Sequence, residues 1–335
     1  MMTASFERLE LLAMVADLYY IDQRSQAEIA RRLGYSRSAI SRLLTEAHER
    51  QLVEIRIHYP LQRDARLEHA LRDTYGLETV YVAQRGNLTY DRMLMQLGRL
   101  AARYLEDYLG ESVVIGLSWG TAVYEVVNAL TPRHYRGVEV VQMIGGLGSG
   151  DQQIDGPGVA IRLAERLGGR YYTLNVPHIA VDEQTRDALL SQRAIHDTLQ
   201  LALRADLAVV GIGSVAPTRS SFLRTGYLTA AELDGIRKTG AVGDICGTHF
   251  DAEGRILDID VNRRVVGVDL QELIDSSCRI VAVSGGRVKA RAIAGALRGN
   301  LVDVLITDSS AAEEILALSS LGEREHPPTR QVSHE

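Results

Sequence analysis

Residues 25–44 read SQAEIARRLGYSRSAISRLL and contain the start and stop signals of two short helices. The serine that opens the stretch is of a type that caps helices, so we predict a first helix from Gln26 to Leu33. Gly34 suits the left-handed backbone that closes a helix. Ser36 is a second capping residue and predicts a helix from Arg37 through Leu44. The stretch therefore has the spacing of a helix-turn-helix.

The apolar residues of these two predicted helices fall on one side of each helix. Ile29 and Ala30 lie on the inner face of the first helix, and the small Ala30 lets the two helices cross closely. Ile40, Leu43 and Leu44 form the buried stripe of the second helix. The pattern therefore leaves one polar and basic face exposed on each helix.

This polar and basic face predicts contact with DNA. Residues 31–42 contain four arginines and no acidic residue. In a helix-turn-helix the start of the second helix enters the major groove, where arginine bonds guanine and serine reaches bases or phosphates. A solvated helical hairpin without a function is the alternative interpretation. We favour double-stranded operator DNA as the partner and expect contacts from Gln26, Ser36, Arg37, Ser38, Ser41 and Arg42.

The charge balance restricts where nucleic acid would bind. The chain of 335 residues has a net charge of −6, yet residues 1–60 hold eight basic and eight acidic side chains. The chain is therefore not a general polyanion binder, and its DNA footprint must be local and reinforced by oligomerisation. The length suggests about two domains. We predict a DNA-binding domain over 1–58, a second and larger domain over 59–322, and a disordered tail over 323–335.

Composition argues against several other classes of protein. The two cysteines, Cys246 and Cys278, do not stand in a metal-ligand spacing, so we expect buried free thiols and no metal site. The sequence starts without a charged leader and apolar segment, and it contains no run of about 18 apolar residues. We therefore expect a cytoplasmic protein with no membrane partner and no cofactor.

Beyond the helix-turn-helix, apolar strands alternate with amphipathic helices. We predict a helix before the motif, over 6–20, a strand after it, over 53–57, and a connecting helix over 62–75. Further strands are predicted over 79–82, 112–117, 138–144, 171–175, 206–212, 278–284 and 302–307. This alternation predicts an α/β fold in which an N-terminal helix-turn-helix domain precedes a Rossmann-like parallel sheet.

Glycine-rich turns follow three of the predicted strands. Gly116 to Thr121 precedes a helix predicted over 122–130, and Gly285 to Lys289 also enters a helix. Backbone N–H groups and hydroxyls at a helix N-terminus can cradle a phosphate, whereas a tight turn that needs glycine is the alternative. Gly211 to Ser214 is a weaker third candidate. Because ligands of open α/β sheets bind at the carboxyl ends of strands, we expect a binding site there.

Charged and polar side chains in or near these turns are candidates for ligand contacts or for structural roles. Lys289 is one of only two lysines among 37 basic residues, which indicates a need for a compact ammonium group, with an ordinary solvated lysine as the alternative. Asp244 lies in the polar stretch 243–251 and can accept hydrogen bonds from sugar hydroxyls. In the same stretch we expect Asp251 to form a turn and His249 to be structural.

Together these motifs resemble the SorC-type family of sugar-binding transcriptional regulators over residues 5–320. The motifs that carry the resemblance are QAEIA at 26–30, SRSAISR at 36–42, VEIRI at 53–57, GLSWGT at 116–121, GDICG at 243–247 and the turn from Gly285 to Lys289. The resemblance implies an effector domain shaped like glucosamine-6-phosphate deaminase and ribose-5-phosphate isomerase. It also implies a bound phosphorylated sugar or polyol, and a homodimer or homotetramer.

The resemblance assigns roles to particular positions. By position, Ser118, Trp119, Gly120 and Thr121 would hold the phosphate with Lys289, Asp244 would hold sugar hydroxyls, and Gln142 and Gly213 would line the pocket. Some relatives hold their effector covalently through a lysine near position 142, where this chain has glutamine. A Schiff base is therefore expected only if Lys289 makes it.

The resemblance implies a regulator rather than an enzyme, and two alternatives remain. The first is a sugar-phosphate isomerase or deaminase fused to a DNA-binding domain. Such catalysis needs a positioned acid and base, and Asp244 is the one carboxylate that the motifs place near the phosphate turns. The second is an interaction module whose pocket has no ligand.

Overall fold

The computed structural model describes residues 2–53, 61–148 and 154–325. The chain divides into two compact units, Met1–Pro60 and Leu61–Glu335. No helix in the described ranges is both long and apolar enough to cross a membrane.

The described part of the first unit contains three α-helices, α1 (Met2–Ala16), α2 (Gln26–Leu33) and α3 (Arg37–Glu49). Both predicted bounds of α2 are confirmed. The Ser25 hydroxyl and the Glu28 carboxylate cap its N-terminus reciprocally, and Gly34 closes it at a φ of 71°. The helix predicted over 6–20 is α-helical only as far as Ala16, and a π-helical turn, Asp17–Ile21, follows it. Helix α3 runs five residues beyond its predicted end.

The three helices of the first unit enclose one small apolar core. Leu12 and Val15 of α1 are fully buried, and they belong to the same cluster as the predicted core residues of α2 and α3. Those predicted residues, Ile29, Ala30, Ile40, Leu43 and Leu44, are all buried. The helix-turn-helix therefore buries the face that the sequence predicts and leaves the basic face exposed.

The described part of the second unit contains a large sheet and a hairpin. The strands are β1 (Thr79–Ala83), β2 (Val114–Leu117), β3 (Glu139–Gln142), β4 (Arg170–Tyr172), β5 (Leu207–Val210), β6 (Gly243–Ile245), β7 (Thr248–Phe250), β8 (Arg279–Val283) and β9 (Val304–Asp308). The helices are α4 (Ala65–Tyr75), α5 (Tyr90–Glu106), α6 (Thr121–Ala129), α7 (Gly156–Leu167), α8 (Glu183–Leu190), α9 (Arg193–Leu203), α10 (Ser221–Arg224), α11 (Ala230–Lys238), α12 (Asp260–Arg263), α13 (Leu270–Asp275), α14 (Ala290–Arg298) and α15 (Ser309–Glu325). A 3₁₀ turn, Arg287–Lys289, precedes α14.

Two predictions fall partly outside the described residues. The strand predicted over 53–57 reaches them only at Val53, and the tail predicted over 323–335 only at 323–325. Residues 323–325 are the end of α15.

The large sheet has seven strands in the order β1-β9-β8-β5-β2-β3-β4, and every neighbouring pair is parallel. The predicted parallel α/β sheet is confirmed. Strands β6 and β7 form a separate antiparallel hairpin that the sequence analysis does not predict. Its two turn residues, Cys246 and Gly247, both have positive φ (52° and 83°), as a type I′ hairpin turn requires.

Apolar side chains cover both faces of the large sheet, because successive residues of each strand point to opposite faces. In β8, Ile280 and Ala282 join the core under α4, α9, α14 and α15, whereas Val281 and Val283 join the core under α5, α6 and α7. The strand order reverses between β2 and β5, since the chain adds β3 and β4 on one side of β2 before it adds β5 on the other. This reversal is where open α/β sheets hold their ligands.

Helices α5 and α6 pack so closely that one residue between them must be glycine. A Cβ added to Gly98 on α5 would lie 2.5 Å from the backbone oxygen of Glu125 on α6. Because backbone atoms cannot rotate away, we expect Gly98→Ala to lower the free energy of unfolding by about 1–3 kcal/mol in urea denaturation.

Gly235 on α11 provides the matched control for this substitution. It is exposed, and an added Cβ would meet no atom within 4 Å. Gly235→Ala should therefore stabilise the chain by about 0.5–1 kcal/mol. Equal effects of the two substitutions would contradict the close packing of α5 on α6.

Candidate functional site

The predicted DNA-contacting side chains lie together on the first unit. Arg37, Ser38, Ser41 and Arg42 are all exposed on α3. Ser36 accepts the Ala39 N–H at 3.1 Å and so caps this helix. Within the described residues neither Arg37 nor Arg42 forms an ion pair, whereas Arg8 and Arg50 of the same unit pair with Glu46.

Three further arginines are exposed on the first unit. Arg24, Arg31 and Arg32 are exposed and line a shallow groove with Glu28. Gln26, at the start of α2, is half-buried. Arg31 and Arg32 belong to the basic stretch 31–42, whereas Arg24 lies before the N-cap of α2 and outside that stretch.

In the second unit a pocket lies at the carboxyl ends of β2, β5 and β8. The space inside it is about 700 Å³, part of which is open solvent. Seven of the eight predicted effector-binding residues line it: Ser118, Trp119, Gly120, Thr121, Gly213, Asp244 and Lys289. The three glycine-rich turns therefore form one site.

The turn after β2 presents the N-terminus of α6 to this pocket. Gly120 precedes α6 at a φ of 128°, a conformation that favours glycine, and Thr121 to Val123 line the pocket. The first N–H groups of a helix lack partners within the helix and carry partial positive charge, so they suit an anion. Ser118 and Trp119 contribute differently, because the Ser118 hydroxyl accepts the Gly211 N–H at 3.3 Å and the indole N–H is bonded to the Gly145 oxygen at 3.1 Å.

Lys289 brings a cation into the same pocket. Its ammonium group donates to the Ile212 oxygen at 2.7 Å, and Ser284 at the end of β8 donates to the same oxygen at 3.1 Å. Burial lowers the pKa of Lys289 to about 8, against the opposing effect of Asp244. Lys289 therefore remains mostly protonated at pH 7.

Asp244 is held against the turn after β5. Its backbone oxygen accepts the Gly213 N–H at 2.8 Å, and a Cβ added to Gly213 would lie 1.9 Å from its carboxylate Oδ1. Burial raises the pKa of Asp244, while His249 and Lys289 act in the opposite direction. A carboxylate placed here can accept hydroxyl hydrogen bonds but repels a second anion.

Gln142 does not line the pocket, so the expectation that it is a pocket residue is wrong. The side chain is fully buried, and its amide donates to the Ile144 oxygen at 2.7 Å and accepts the Leu174 N–H at 3.0 Å. These bonds use the amide to join β3 to the segment after β4. Gln142 is therefore structural.

Two arginines at the pocket were missed by the sequence analysis. Arg219 and Arg224 come from the segment around α10, are both exposed, and form no ion pair with another described residue. The Arg219 guanidinium lies 3.9 Å from the centre of the Tyr90 ring, so it packs across the pocket on the start of α5. Their signal in the sequence is two arginines five residues apart just beyond the turn at 211–214.

Aromatic and histidine side chains form the buried wall of the pocket. His178 is fully buried, with ring centroids 5.2 Å from Trp119 and 5.5 Å from Phe222. Burial lowers the pKa of His178 to about 3, so the ring is neutral at pH 7. His249 is buried as well, and its Nδ1 lies 3.2 Å from Asn262 Oδ1, in agreement with the predicted structural role.

Both cysteines are buried free thiols, as predicted. Burial raises the pKa of each thiol to about 12, so both stay protonated. Among the described residues, no group of three or more histidine, cysteine, aspartate and glutamate side chains is arranged to hold a metal ion.

Comparisons with known proteins agree with this geometry. Residues 59–317 match the Sugar-bind family model, a sugar-binding domain, and residues 9–66 match the MarR family model. The chain is 32% identical to the deoxyribonucleoside regulator of Bacillus subtilis over 310 residues, which is 92% of this chain and 98% of that protein. It is 32% identical to the transcriptional regulator LsrR of an Enterobacter species over 316 residues, or 92% and 94% of the two chains.

A solved structure shows the same architecture. The full-length sorbitol operon regulator SorC of Klebsiella pneumoniae matches with a TM-score of 0.72 and 28% identity over 92% of this chain and 98% of that chain. The fold and pocket define a DNA-binding regulator with a sugar-binding domain. The chain belongs to the SorC-type family of sugar-binding transcriptional regulators, and it is a regulator rather than an enzyme.

The contact between Gly213 and Asp244 predicts a coupled pair of substitutions. Gly213→Ala should destabilise the chain because its Cβ would occupy the space of the carboxylate, and Asp244→Ala should free that space. We therefore expect Gly213→Ala to cost less in the Asp244→Ala background, by about 0.5–3 kcal/mol in a urea double-mutant cycle. Additive effects would show that the two residues do not touch.

Proposed function

We propose that this regulator binds operator DNA with an affinity set by a phosphorylated sugar or polyol held in the pocket. The observation that carries the proposal is the charge of that pocket. Lys289, Arg219, Arg224 and the N-terminus of α6 surround one space that also contains the Asp244 carboxylate. Several positive groups beside a single buried acid suit a ligand with one dianionic end and one hydroxylated end.

Each group has a role in this proposal. The free N–H groups of α6 and the Thr121 hydroxyl hold the phosphate, with Lys289 as its compact cation. Asp244 accepts hydrogen bonds from sugar hydroxyls, and the wall of Trp119 and His178 packs against the carbon chain. Arg219 and Arg224 are placed at the pocket to neutralise remaining negative charge.

The DNA-binding half of the proposal rests on α3. The exposed arginines and serines of α3 enter the major groove of the DNA. Ser36 and Gln26 lie at the adjoining DNA backbone. The arginines of α2 that line the shallow groove on the protein contact DNA phosphates. In this proposal a homodimer or homotetramer presents these helices to repeated half-sites of the DNA. The protein acts in the cytoplasm, because its operator DNA lies there. The DNA-binding domain spans 1–58 and the effector domain 59–322 in this proposal.

Control follows from differential binding. An effector changes DNA affinity only if it binds one arrangement of the subunits more tightly than another. The turns that hold the phosphate must therefore differ in position between the DNA-binding and the released arrangement.

Replacing both Arg37 and Arg42 by alanine tests the DNA surface. Each bidentate arginine contact is worth about 1–3 kcal/mol, so we expect the double variant to lose tenfold or more in affinity for a duplex selected from a random pool by the wild-type chain. Fluorescence anisotropy at several salt concentrations measures this, and the salt dependence should become shallower.

Arg50→Ala is the control for this pair. Arg50 lies at the other end of α3 and pairs with Glu46 at 2.8 Å, so its loss should leave DNA affinity close to that of the wild type. Unchanged affinity of the Arg37 and Arg42 double variant at moderate salt would refute the proposed surface.

Thermal-shift screening of pentose, hexose and polyol phosphates beside their unphosphorylated counterparts tests the ligand. A ligand at 100 times its dissociation constant stabilises the folded chain by about 2.7 kcal/mol, so a phosphorylated ligand should raise the Tm and its counterpart should not. Affinity should fall as the pH rises through about 8, because Lys289 then loses its proton.

The two lysines of the chain make a matched pair for this test. Lys289→Met should remove most of the stabilisation and its pH dependence. Lys238→Met should change neither, because Lys238 is exposed on α11 and pairs with Asp234 at 2.9 Å. Equal stabilisation by sugars with and without phosphate would argue against a phosphate site.

A further inference from the structure

The second unit begins with a short segment, residues 61–64, that is bonded to the carboxyl end of β1. The Asp64 N–H donates to the Val82 oxygen and the Gln84 N–H donates to the Gln62 oxygen, both at 2.9 Å. These are the first described residues after the DNA-binding unit. Two backbone hydrogen bonds therefore attach this segment to the end of β1.

Side chains reinforce this attachment. Arg63 makes two hydrogen bonds of 2.7 Å to the carboxylate of Glu68, and its guanidinium lies 4.0 Å from the centre of the Tyr81 ring. Glu68 also accepts the Val82 N–H at 2.9 Å. A buried carboxylate with three donors fixes the segment against β1 and α4.

Arg85, which follows Gln84 just after β1, connects β1 to the end of β9. Its backbone N–H donates to the Ser309 hydroxyl at 3.2 Å and its guanidinium donates to the Ser310 hydroxyl at 2.9 Å. The same guanidinium lies 3.8 Å from the Asp308 carboxylate. Arg85 is partly buried, so this ion pair is less screened than one on the surface.

Asp308 in turn holds the pocket turn that presents Lys289. It is fully buried at the end of β9, and its Oδ1 accepts the Gly286 N–H at 2.5 Å. A Cβ added to Gly285 would lie 2.6 Å from the same oxygen, so the turn rests directly on the carboxylate. Its Oδ2 faces Ser310 and Arg85.

We propose that the Arg85–Asp308 pair couples the pocket to the segment at 61–64. This proposal rests on the proposed function, because it assumes that a ligand moves or fixes the turn from Gly285 to Lys289. One oxygen of the Asp308 carboxylate accepts a hydrogen bond from the turn, and the other forms an ion pair with Arg85 at 3.8 Å. A shift of the turn therefore changes the position of Arg85 and of the residues bonded to the end of β1.

Substitution of Arg85 separates coupling from ligand binding. Removal of Arg85 takes away the cation beside the carboxylate that holds the turn and should loosen that turn, but Arg85 does not line the pocket, so its removal deletes no ligand contact. Arg85→Met should therefore bind ligand like the wild type but fail to transmit its effect. Arg85→Lys keeps a positive charge near Asp308 and should retain part of the coupling.

Arg279 is the matched control at the opposite end of the sheet. It lies at the start of β8 and pairs with Glu78, just before β1, at 3.4 Å. Arg279→Met thus removes a partly buried arginine that also links β8 to the β1 side of the sheet, and it does so far from the pocket turns.

Hydrogen–deuterium exchange of the ligand-free full-length chain tests the mechanical link. We expect Arg85→Met to raise exchange both in peptides covering 61–64 and 82–85 and in those covering 285–289, and Arg279→Met to change none of these peptides. Exchange raised at one end of the path alone in Arg85→Met would overturn the proposal, whether or not a ligand is known.

Operator binding tests the functional coupling. The probes are glucose 6-phosphate, fructose 6-phosphate and ribose 5-phosphate, each used singly at a concentration that saturates its thermal shift. We expect a change of tenfold or more in wild-type and Arg279→Met operator affinity, and less than about twofold in Arg85→Met with unchanged probe affinity.

The outcomes of this second test are separable. A wild-type response retained in full by Arg85→Met would refute the coupling and leave the proposed function standing. A wild-type chain that none of the three probes stabilises counts against the sugar-phosphate function, and the exchange measurement then decides the link alone.

Discussion

The site depends on one constraint of the sheet, which is the meeting of the carboxyl ends of β2, β5 and β8. These three parallel strands are neighbours, and the strand order reverses between β2 and β5. Each strand ends in a turn that contains glycine, and the three turns open on the same pocket. Because side helices cover both faces of the sheet, this end is where polar groups can gather without disturbing the apolar cores.

Close backbone approach and buried charge then shape the pocket. Gly213 leaves room for the Asp244 carboxylate, and the positive φ of Gly120 turns the chain from β2 into α6. Asp244 is buried and Lys289 is half-buried, and each opposes the effect of burial on the pKa of the other. Asp308 stays buried because it bonds the turn that carries Lys289. The polar groups are thus placed by contacts with one another as much as by the strands.

The sequence predicts the parts of this molecule that depend on local chemistry. Ser25 and Gly34 act within a few residues, so the bounds of α2 follow from capping alone. The apolar strands and the glycine turns are local for the same reason, and the turns bring most of the predicted effector residues to the pocket.

Long-range packing decides the rest. Gln142 is the last residue of β3, at the same end of the sheet as the site residues, but its amide accepts the N–H of Leu174, just after β4. Arg219 reaches the pocket only because the segment around α10 packs over it, and His178 only because Trp119 and Phe222 enclose it. The β6–β7 hairpin has three-residue strands, which are too short for an alternating pattern to be visible.

The central claim is that a phosphate in the pocket of the second unit controls DNA binding by the first. The most direct test is the operator affinity of the full-length chain, measured by fluorescence anisotropy while one sugar phosphate, or the same sugar without its phosphate, is titrated in. We expect the phosphorylated sugar to change the operator affinity tenfold or more and the free sugar to leave it unchanged. A response of equal size to both sugars, or an affinity that no sugar phosphate changes, would contradict it.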